Sequence, residues 1–242
     1  FFRTGAISLK VNSGAKVFLN DKLEGETSFF NNTFSIDRLL PGNYSLQVQK
    51  DGYAIWTKTA NVEEGLVIDF PSIMILPDQG DEKEKLVIEI EKILQELIPS
   101  PTPISKPKKN TKPELSTDSH NEPFFLNIKN EKLYQNLDEE LREVASSVKG
   151  FRLSKNKNKL LWWTLNELWV IWLNDTHYQP FYKKGDKELI TRFSISIQNA
   201  AWFRDEDHVI LEFERFDTKN RPYSGYKMLE IDKRGGVNIL EL

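Results

Sequence analysis

Apolar and polar residues alternate through the first 76 positions of the chain. Ile7, Leu9 and Val11 alternate with Ser8 and Lys10, which is the period-two pattern of a strand with one buried face. Further segments of this kind are residues 17–19, 44–48, 56–60 and 66–76. Turn residues separate these segments at intervals typical of antiparallel sheets. The pattern therefore predicts a small β-sandwich.

The period changes to that of a helix in residues 81–98. Asp81 is a candidate N-cap, and acidic residues follow it in the first turn. The apolar positions that share one helix face are Leu86, Ile90, Ile93, Leu94 and Leu97. Such a stripe has to be covered. We expect the helix to pack on its own domain, to bind a partner, or to pair with a second copy.

Residues 99–122 have the composition of a linker. They contain five prolines, several Ser and Thr residues and a cluster of lysines, with almost nothing apolar to bury. Segments of this kind remain extended and solvated. We therefore predict a flexible connection between two folded regions.

Residues 123–242 are again rich in strand patterns, and they contain a repeat. Segments 151–161 and 201–210 each run from an aromatic strand end through a tight polar turn into an apolar strand. Lys159 and His208, 49 residues apart, occupy the same place in the two copies. The strands expected are residues 148–153, 159–164, 167–173 and 189–193, then 197–203, 208–214, 226–232 and 237–242. Four strands repeated at this period are typical of propeller blades, and residues 124–137 would supply an incomplete third.

Three polar segments between these strands have local structural interpretations. Residues 205–207, Asp-Glu-Asp, are expected to form a tight turn, because Asp side chains bond nearby backbone groups. Residues 138–140, Asp-Glu-Glu, are expected to begin a short helix. Ser224-Gly225 is expected to be a turn that ends a long loop starting at Asp217.

Composition and motifs argue against catalysis. The net charge is −3 and the basic residues form no stripe, which disfavours nucleic acid as a partner. The chain has no cysteine, and its three histidines are far apart, so neither thiolate chemistry nor a metal site is indicated. It lacks a G-x-S-x-G motif and a Gly-rich phosphate loop that opens a helix. We therefore expect a protein that is not an enzyme and has no cofactor.

The first region resembles the PEGA domain family. The matching segments are residues 14–20 (GAKVFLN) with Gly25 and Thr27, residues 40–44 (LPGNY) and residues 50–53 (KDGY). The motif that names the family is replaced here by residues 12–15, NSGA. The resemblance implies an extracytoplasmic module of the cell envelope. Phe1-Phe2 would then be the end of a removed membrane helix, or alternatively a processed terminus.

Residues 123–242 resemble blades of a TolB-type or Trp-Asp-type β-propeller. Two to three blades cannot close a ring, and they leave strand edges exposed. The chain is then a fragment of a longer protein, or it self-associates through open edges, or its sheets pack as a sandwich. We favour a fragment.

The expected fold is mainly β. It comprises a PEGA-like sandwich (1–78), an amphipathic helix (79–98), a Pro/Lys-rich linker (99–122) and a partial propeller (123–242). Aromatic residues dominate the last region, as core between blades or as a surface for a sugar or peptide. The predicted contact residues are Trp163, Trp169, Tyr178, Tyr182, Arg221 and Tyr223.

The predicted function is that of a non-catalytic binding or scaffold protein of the cell envelope, membrane-anchored and extracytoplasmic, which contacts a protein or an envelope glycan. The alternatives are the propeller portion of an envelope hydrolase and a structural surface-layer component.

Overall fold

A computed structural model describes residues 3–11, 14–28, 32–96, 123–137 and 140–242. These ranges contain eighteen strands, arranged in five sheets, and one α-helix. The predicted mainly β fold is confirmed. The predicted linker and residues 138–139 lie outside the described ranges.

Two sheets form an N-terminal sandwich. Its strands are β1 (Gly5–Val11), β2 (Lys16–Leu19), β3 (Lys22–Glu26), β4 (Thr33–Leu39), β5 (Gly42–Gln49), β6 (Trp56–Val62) and β7 (Val67–Ile73). One sheet has the order β4-β1-β7 and the other β3-β2-β5-β6. The inward residues of both sheets share one core, which includes Ile7, Leu9, Val17 and Val48.

Local sequence explains the tight hairpin at the start of this sandwich. Asn20 and Asp21 both have positive φ, 47° and 63°, between β2 and β3. This is the backbone of a type I′ turn, and Asn and Asp tolerate it better than other residues with a Cβ. Asn20 also accepts a hydrogen bond from the backbone N–H of Ser45 at 2.9 Å, which ties the turn to β5.

Eleven strands follow in the C-terminal region as described. They are β8 (Phe124–Asn127), β9 (Lys132–Leu137), β10 (Glu140–Ala145), β11 (Gly150–Leu153), β12 (Lys159–Trp163), β13 (Glu167–Trp172), β14 (Lys187–Arg192), β15 (Ile197–Trp202), β16 (His208–Phe216), β17 (Pro222–Glu230) and β18 (Ile239–Glu241). They build a sheet β10-β9-β8 and two four-stranded sheets, β11 to β14 and β15 to β18, in chain order. The strands expected in the two four-stranded sheets thus form within four residues of their predicted bounds.

The structure confirms the repeat. Lys159 and His208 each open the second strand of a four-stranded sheet, and both are buried. The carbonyl of Lys159 accepts a hydrogen bond from Ser154 N–H at 2.8 Å, and the carbonyl of His208 accepts one from Phe203 N–H at 2.9 Å. The two tight turns are therefore built in the same way.

The C-terminal sheets are stacked in the order of the chain. One apolar cluster joins the β8–β10 sheet to the β11–β14 sheet, and a second joins the β11–β14 sheet to the β15–β18 sheet. Strand β12 is buried along its whole length because both of its faces are covered in this stack. This explains why its sequence, KLLWW, is nearly all apolar.

Helix α1 (Gly80–Glu96) covers the outer face of the β15–β18 sheet. Leu86, Ile90 and Leu94 are buried, and they share a cluster with Phe203 and Met228. The apolar stripe is therefore covered within the chain, by the C-terminal region and by Leu76 at the end of the sandwich. The helix begins one residue before Asp81, which lies in the first turn.

Two local predictions are wrong. The expected helix after residue 139 is strand β10, which pairs antiparallel with β9, because partner strands outweigh weak helical signals. Ser224 and Gly225 lie inside β17 and not in a turn. A Cβ on Gly225 would lie 2.5 Å from Cδ of Arg215, so the glycine makes room for that side chain.

Among the described residues, no helix is long and apolar enough to cross a lipid bilayer.

Candidate functional site

The N-terminal sandwich docks on the C-terminal region through a contact that we call the seam, formed by β6, β7, the loop of residues 173–186 and residues 230–238. At its centre Lys58 forms a buried ion pair with Glu230, with 2.6 Å between Nζ and Oε1. The indole N–H of Trp56 donates to the other oxygen of Glu230 at 2.8 Å. The side chains of Lys58, Trp56 and Glu230 are all almost fully buried.

The ammonium group of Lys58 has two further partners. It donates to the backbone carbonyls of Asp232 and Gly236, each at 2.5 Å. Beside it, Gly235 is pressed against strand β6, since a Cβ there would lie 2.2 Å from the carbonyl oxygen of Thr59. A buried charge is costly unless it is paired and hydrogen-bonded, and both conditions are met here.

Polar contacts extend the seam along β7. Arg234 donates to the carbonyl of Asp69 at 2.7 Å and to the side chain of Gln179 at 2.8 Å. Gln179 also bonds the backbone of Val67 and Asp69. These hydrogen bonds join the sandwich to the stacked sheets along β7.

A second buried cation, Lys159, lies between the two four-stranded sheets. Its ammonium donates to Asp207 Oδ1 at 2.5 Å, to Tyr178 OH at 2.9 Å and to the carbonyl of Glu206 at 2.9 Å. Burial, with the carboxylate of Asp207 next, raises the pKa of Tyr178 well above its usual value. Tyr178 is therefore a neutral bridge in a structural network.

His208 is arranged for structure and not for nucleophilic catalysis. Its Nδ1 lies 2.9 Å from Asp205, whose carboxylate also accepts a hydrogen bond from Ser72 Oγ at 3.0 Å. The hydroxyl thus meets the carboxylate and not the imidazole, and His208 Nε2 has no hydrogen-bond partner among the described residues. A base must contact its nucleophile, so these three residues do not form a working triad.

Asp205 shapes the turn as the sequence predicts. Its Oδ1 accepts hydrogen bonds from the N–H groups of Asp207 and His208, both at 2.9 Å. Burial by itself would raise the pKa of Asp205, but the bonds from His208, Asp207 and Ser72 outweigh it and lower that pKa. In the part of the chain that the structure describes, no three His, Cys, Asp or Glu residues are grouped so as to hold a metal ion.

Tyr178 and Tyr182, two of the predicted contact residues, meet at the seam. Tyr182 stacks on Trp172, with 3.6 Å between ring centroids, and its hydroxyl donates to Glu188 at 3.0 Å. Both tyrosines line a cavity of about 30 Å³ beside β7. That volume suits one or two water molecules and not a sugar or a peptide.

A much larger opening, which we call the cleft, lies between the β8–β10 sheet and the β11–β14 sheet. Its volume is about 840 Å³. Trp162 and Trp169, paired across β12 and β13, line it with rings 5.8 Å apart and 9° from parallel. Trp162 is buried beneath, whereas Trp169 is half-buried and reaches the open space.

Polar contacts fix the ring of Trp169. Its indole N–H donates to Glu167 Oε2 at 2.9 Å, and Arg192 donates to the other oxygen of Glu167 at 2.7 Å. The bond from Trp169 and then that from Arg192 lower the pKa of Glu167. Glu167 is therefore a carboxylate at neutral pH and is held in one place.

The carboxylates on the walls of the cleft are paired with cations. Lys149 contacts Glu131, and Glu143 contacts Lys132 at 2.7 Å. Lys187 donates to the carbonyl of Val144 at 3.2 Å and lies 5.7 Å from the ring of Trp162. The cleft thus offers an aromatic surface with fixed donors and acceptors and little net charge.

The other predicted contact residues lie elsewhere. Trp163 points to the opposite face of β12 and is only 3% exposed, in the core shared with β15–β18, so its position does not fit a contact with a ligand. Arg221 and Tyr223 are exposed at the β16–β17 hairpin, where Arg221 pairs with Asp217. Their role stays a prediction.

Two features of the sequence indicate site residues that are absent from the predicted contact residues. Lys58 stands at an inward position of the alternation between Trp56 and Ala60, and a lysine at such a position indicates a buried partner. Glu167 lies two residues before Trp169, on the same face of β13. The partner of Lys58, Glu230, is distant in sequence, and only the fold shows it.

Comparison with known families identifies the N-terminal region. Residues 7–71 match the PEGA domain model, which confirms the resemblance seen in the sequence. The PEGA domain is a cell-envelope-associated module of unknown function. No curated protein matches the chain.

Proposed function

We propose that this protein is a non-catalytic binding protein of the cell envelope. The PEGA sandwich and the stacked sheets act as one rigid scaffold, and the cleft binds the ligand. The observation that carries the proposal is the pair of stacked tryptophans, Trp162 and Trp169, in an open cleft of about 840 Å³. Pockets of roughly 300–1,000 Å³ with an aromatic lining and a few fixed polar groups are typical of ligand sites.

The stacked sheets support an interpretation as propeller blades. Each four-stranded sheet is a meander in chain order, and each packs face to face on the next through an apolar layer. The two copies share the same turn at Lys159 and His208. We infer a blade-like stack in which the β8–β10 sheet is a third, three-stranded unit.

The arrangement of the polar groups favours binding over catalysis. The buried cations Lys58 and Lys159 are saturated with partners, and the imidazole of His208 meets no nucleophile. The PEGA match supports an extracytoplasmic location. Anchoring through an N-terminal membrane segment belongs to the same proposal.

The test is co-sedimentation of the protein with purified bacterial envelope fragments. We expect the protein to sediment with the fragments and Trp169→Ala to weaken that binding at least tenfold, with the same far-ultraviolet circular dichroism. Phe216→Ala is the matched control, because it removes an aromatic side chain that is 56% exposed at the β16–β17 hairpin and does not line the cleft. Failure of the unaltered protein to sediment, or equal binding by Trp169→Ala, would contradict the proposal.

A further inference from the structure

We propose that the cleft binds an uncharged glycan, with one pyranose ring stacked on Trp169. This inference rests on the proposed binding function and names the ligand class of the same cleft. It follows from the aromatic surface, from the kind of polar groups around it and from the balance of charge.

The aromatic surface is ready to receive a flat apolar face. Trp162 stacks on one face of the Trp169 ring, and the half-buried Trp169 lines the open cleft. The bond from the indole N–H to Glu167 holds the ring in place before any ligand arrives. A fixed ring loses little conformational freedom on binding, and the C–H face of a sugar ring is apolar enough to pack on it.

The polar groups around the ring suit hydroxyls. Glu131, Glu143 and Glu167 supply acceptors, Lys149 and Lys187 supply donors, and Thr164 adds a hydroxyl. A sugar hydroxyl both donates and accepts, so it can join an existing ion pair without leaving either partner alone. Charged partners also make the stronger hydrogen bonds.

The balance of charge separates a neutral glycan from charged polymers. Nucleic acids and sulfated or uronic glycans need a surplus of cations on the protein. Here each carboxylate has one cationic partner: Glu131 pairs with Lys149, Glu143 with Lys132 and Glu167 with Arg192. The described lining residues of the cleft therefore include no cluster of unpaired cations that could bind a polyanion.

The experiment is a titration of soluble hexasaccharides, followed by tryptophan fluorescence and by saturation-transfer NMR. The neutral probes are hexamers of glucose, mannose and N-acetylglucosamine, and the charged probes are hexamers of galacturonate and heparin fragments. We expect saturable binding of at least one neutral hexamer, and none of the charged probes to bind more tightly.

Substitutions in the cleft test where the sugar binds. Trp169→Ala should weaken binding of the neutral hexamer at least tenfold, and Glu167→Gln about threefold or more, whereas Phe216→Ala, outside the cleft, should leave it unchanged. Trp169→Phe keeps an aromatic ring and should retain part of the binding, which guards against a folding defect in Trp169→Ala. Equal binding by Trp169→Ala and the unaltered protein would overturn the inference.

The envelope assay separates the two proposals. If envelope fragments bind through Trp169 but no neutral hexamer does, and protease treatment of the fragments abolishes binding, the ligand is a protein. That outcome overturns the glycan inference and leaves the binding function standing. Preference for a charged hexamer also overturns the inference, and absence of all envelope binding overturns the function itself.

Discussion

Two interfaces of the stacked sheets, the seam and the cleft, differ in kind. At the seam, Lys58, Trp56 and Glu230 meet at hydrogen-bonding distance, and the space left beside them is about 30 Å³. At the cleft, two sheets share an apolar cluster yet leave about 840 Å³ open above Trp169. One interface is closed by buried charge and the other stays accessible.

The difference shows how one architecture divides its tasks. A buried ion pair adds little stability in comparison with apolar packing, but breaking one partner is costly, so it favours a single docked arrangement. Exposed ion pairs around an aromatic ring contribute little stability and remain available to a ligand. Under the proposed function, the seam therefore fixes the relative position of the two regions and the cleft binds the ligand.

The largest expected effect comes from removing one charge of the seam. Lys58→Met leaves Glu230 buried without its cation, and we expect a loss of about 3–5 kcal/mol in the free energy of unfolding, measured by urea denaturation. Lys58→Met combined with Glu230→Leu should regain a large part of that loss, because no unpaired charge remains. Arg3→Ala breaks the exposed pair with Glu64 and is the control, with little change expected. Equal stability of Lys58→Met and the unaltered protein would show that the seam is not closed.

The next effect concerns helix α1, which closes the outer face of the β15–β18 sheet. Ile90 is fully buried there, so Ile90→Ala should cost about 2–4 kcal/mol in thermal or urea unfolding. Ile88 lies on the same helix and is 64% exposed, and Ile88→Ala should change stability by less than about 0.5 kcal/mol. A similar effect of both variants would mean that the helix is not docked on that sheet.

A smaller effect tests the packing of the sheets between the seam and the cleft. A Cβ on Gly150 would lie 2.3 Å from Cζ2 of Trp163, so Gly150→Ala should cost about 1–3 kcal/mol through overpacking. Trp163→Phe shortens the ring, and the double variant should be more stable than the sum of the two single effects predicts. Additive effects in this double-mutant cycle would contradict the contact.

The smallest effect is in the alkaline range. Burial and Asp207 raise the pKa of Tyr178 above 10.0 in the folded protein. The unfolded chain then releases this proton near pH 10 while the folded protein retains it, so stability is complete below pH 10 and falls as the pH rises. The slope contributed by one such group is at most about 1.4 kcal/mol per pH unit. The free energy of unfolding, measured in urea between pH 8 and 11, should fall less steeply with pH for Tyr178→Phe than for the unaltered protein. An unchanged slope would contradict the burial of the phenol.

Much of the fold is predictable because local pattern decides it. The apolar segments of the repeat, bounded by turn residues, placed β12, β13, β15 and β16 within two residues of their observed bounds, since such segments are a local property of the sequence. The pairing of β10 with β9 and the straight course of β17 through Gly225 were missed, because neighbouring strands and Arg215 determine them. The sequence also placed Trp169 on a strand face, but not beside Trp162 and Glu167 in an open cleft.

The docking of the sandwich could not be predicted. The two ends of the Lys58–Glu230 pair are 172 positions apart, and a composition typical of a flexible linker lies between them. Their meeting depends on how the sheets stack and on where helix α1 lies. No local pattern encodes that arrangement.

Hydroxyl-radical footprinting of the individual tryptophans tests the central claim most directly. Trp56 in the seam should be protected in the free protein, whereas Trp169 should be oxidised readily and become protected when envelope fragments or a bound hexasaccharide are present. If Trp169 is as unreactive as Trp56, or if the ligand leaves its oxidation unchanged, the division between a closed seam and a binding cleft is wrong.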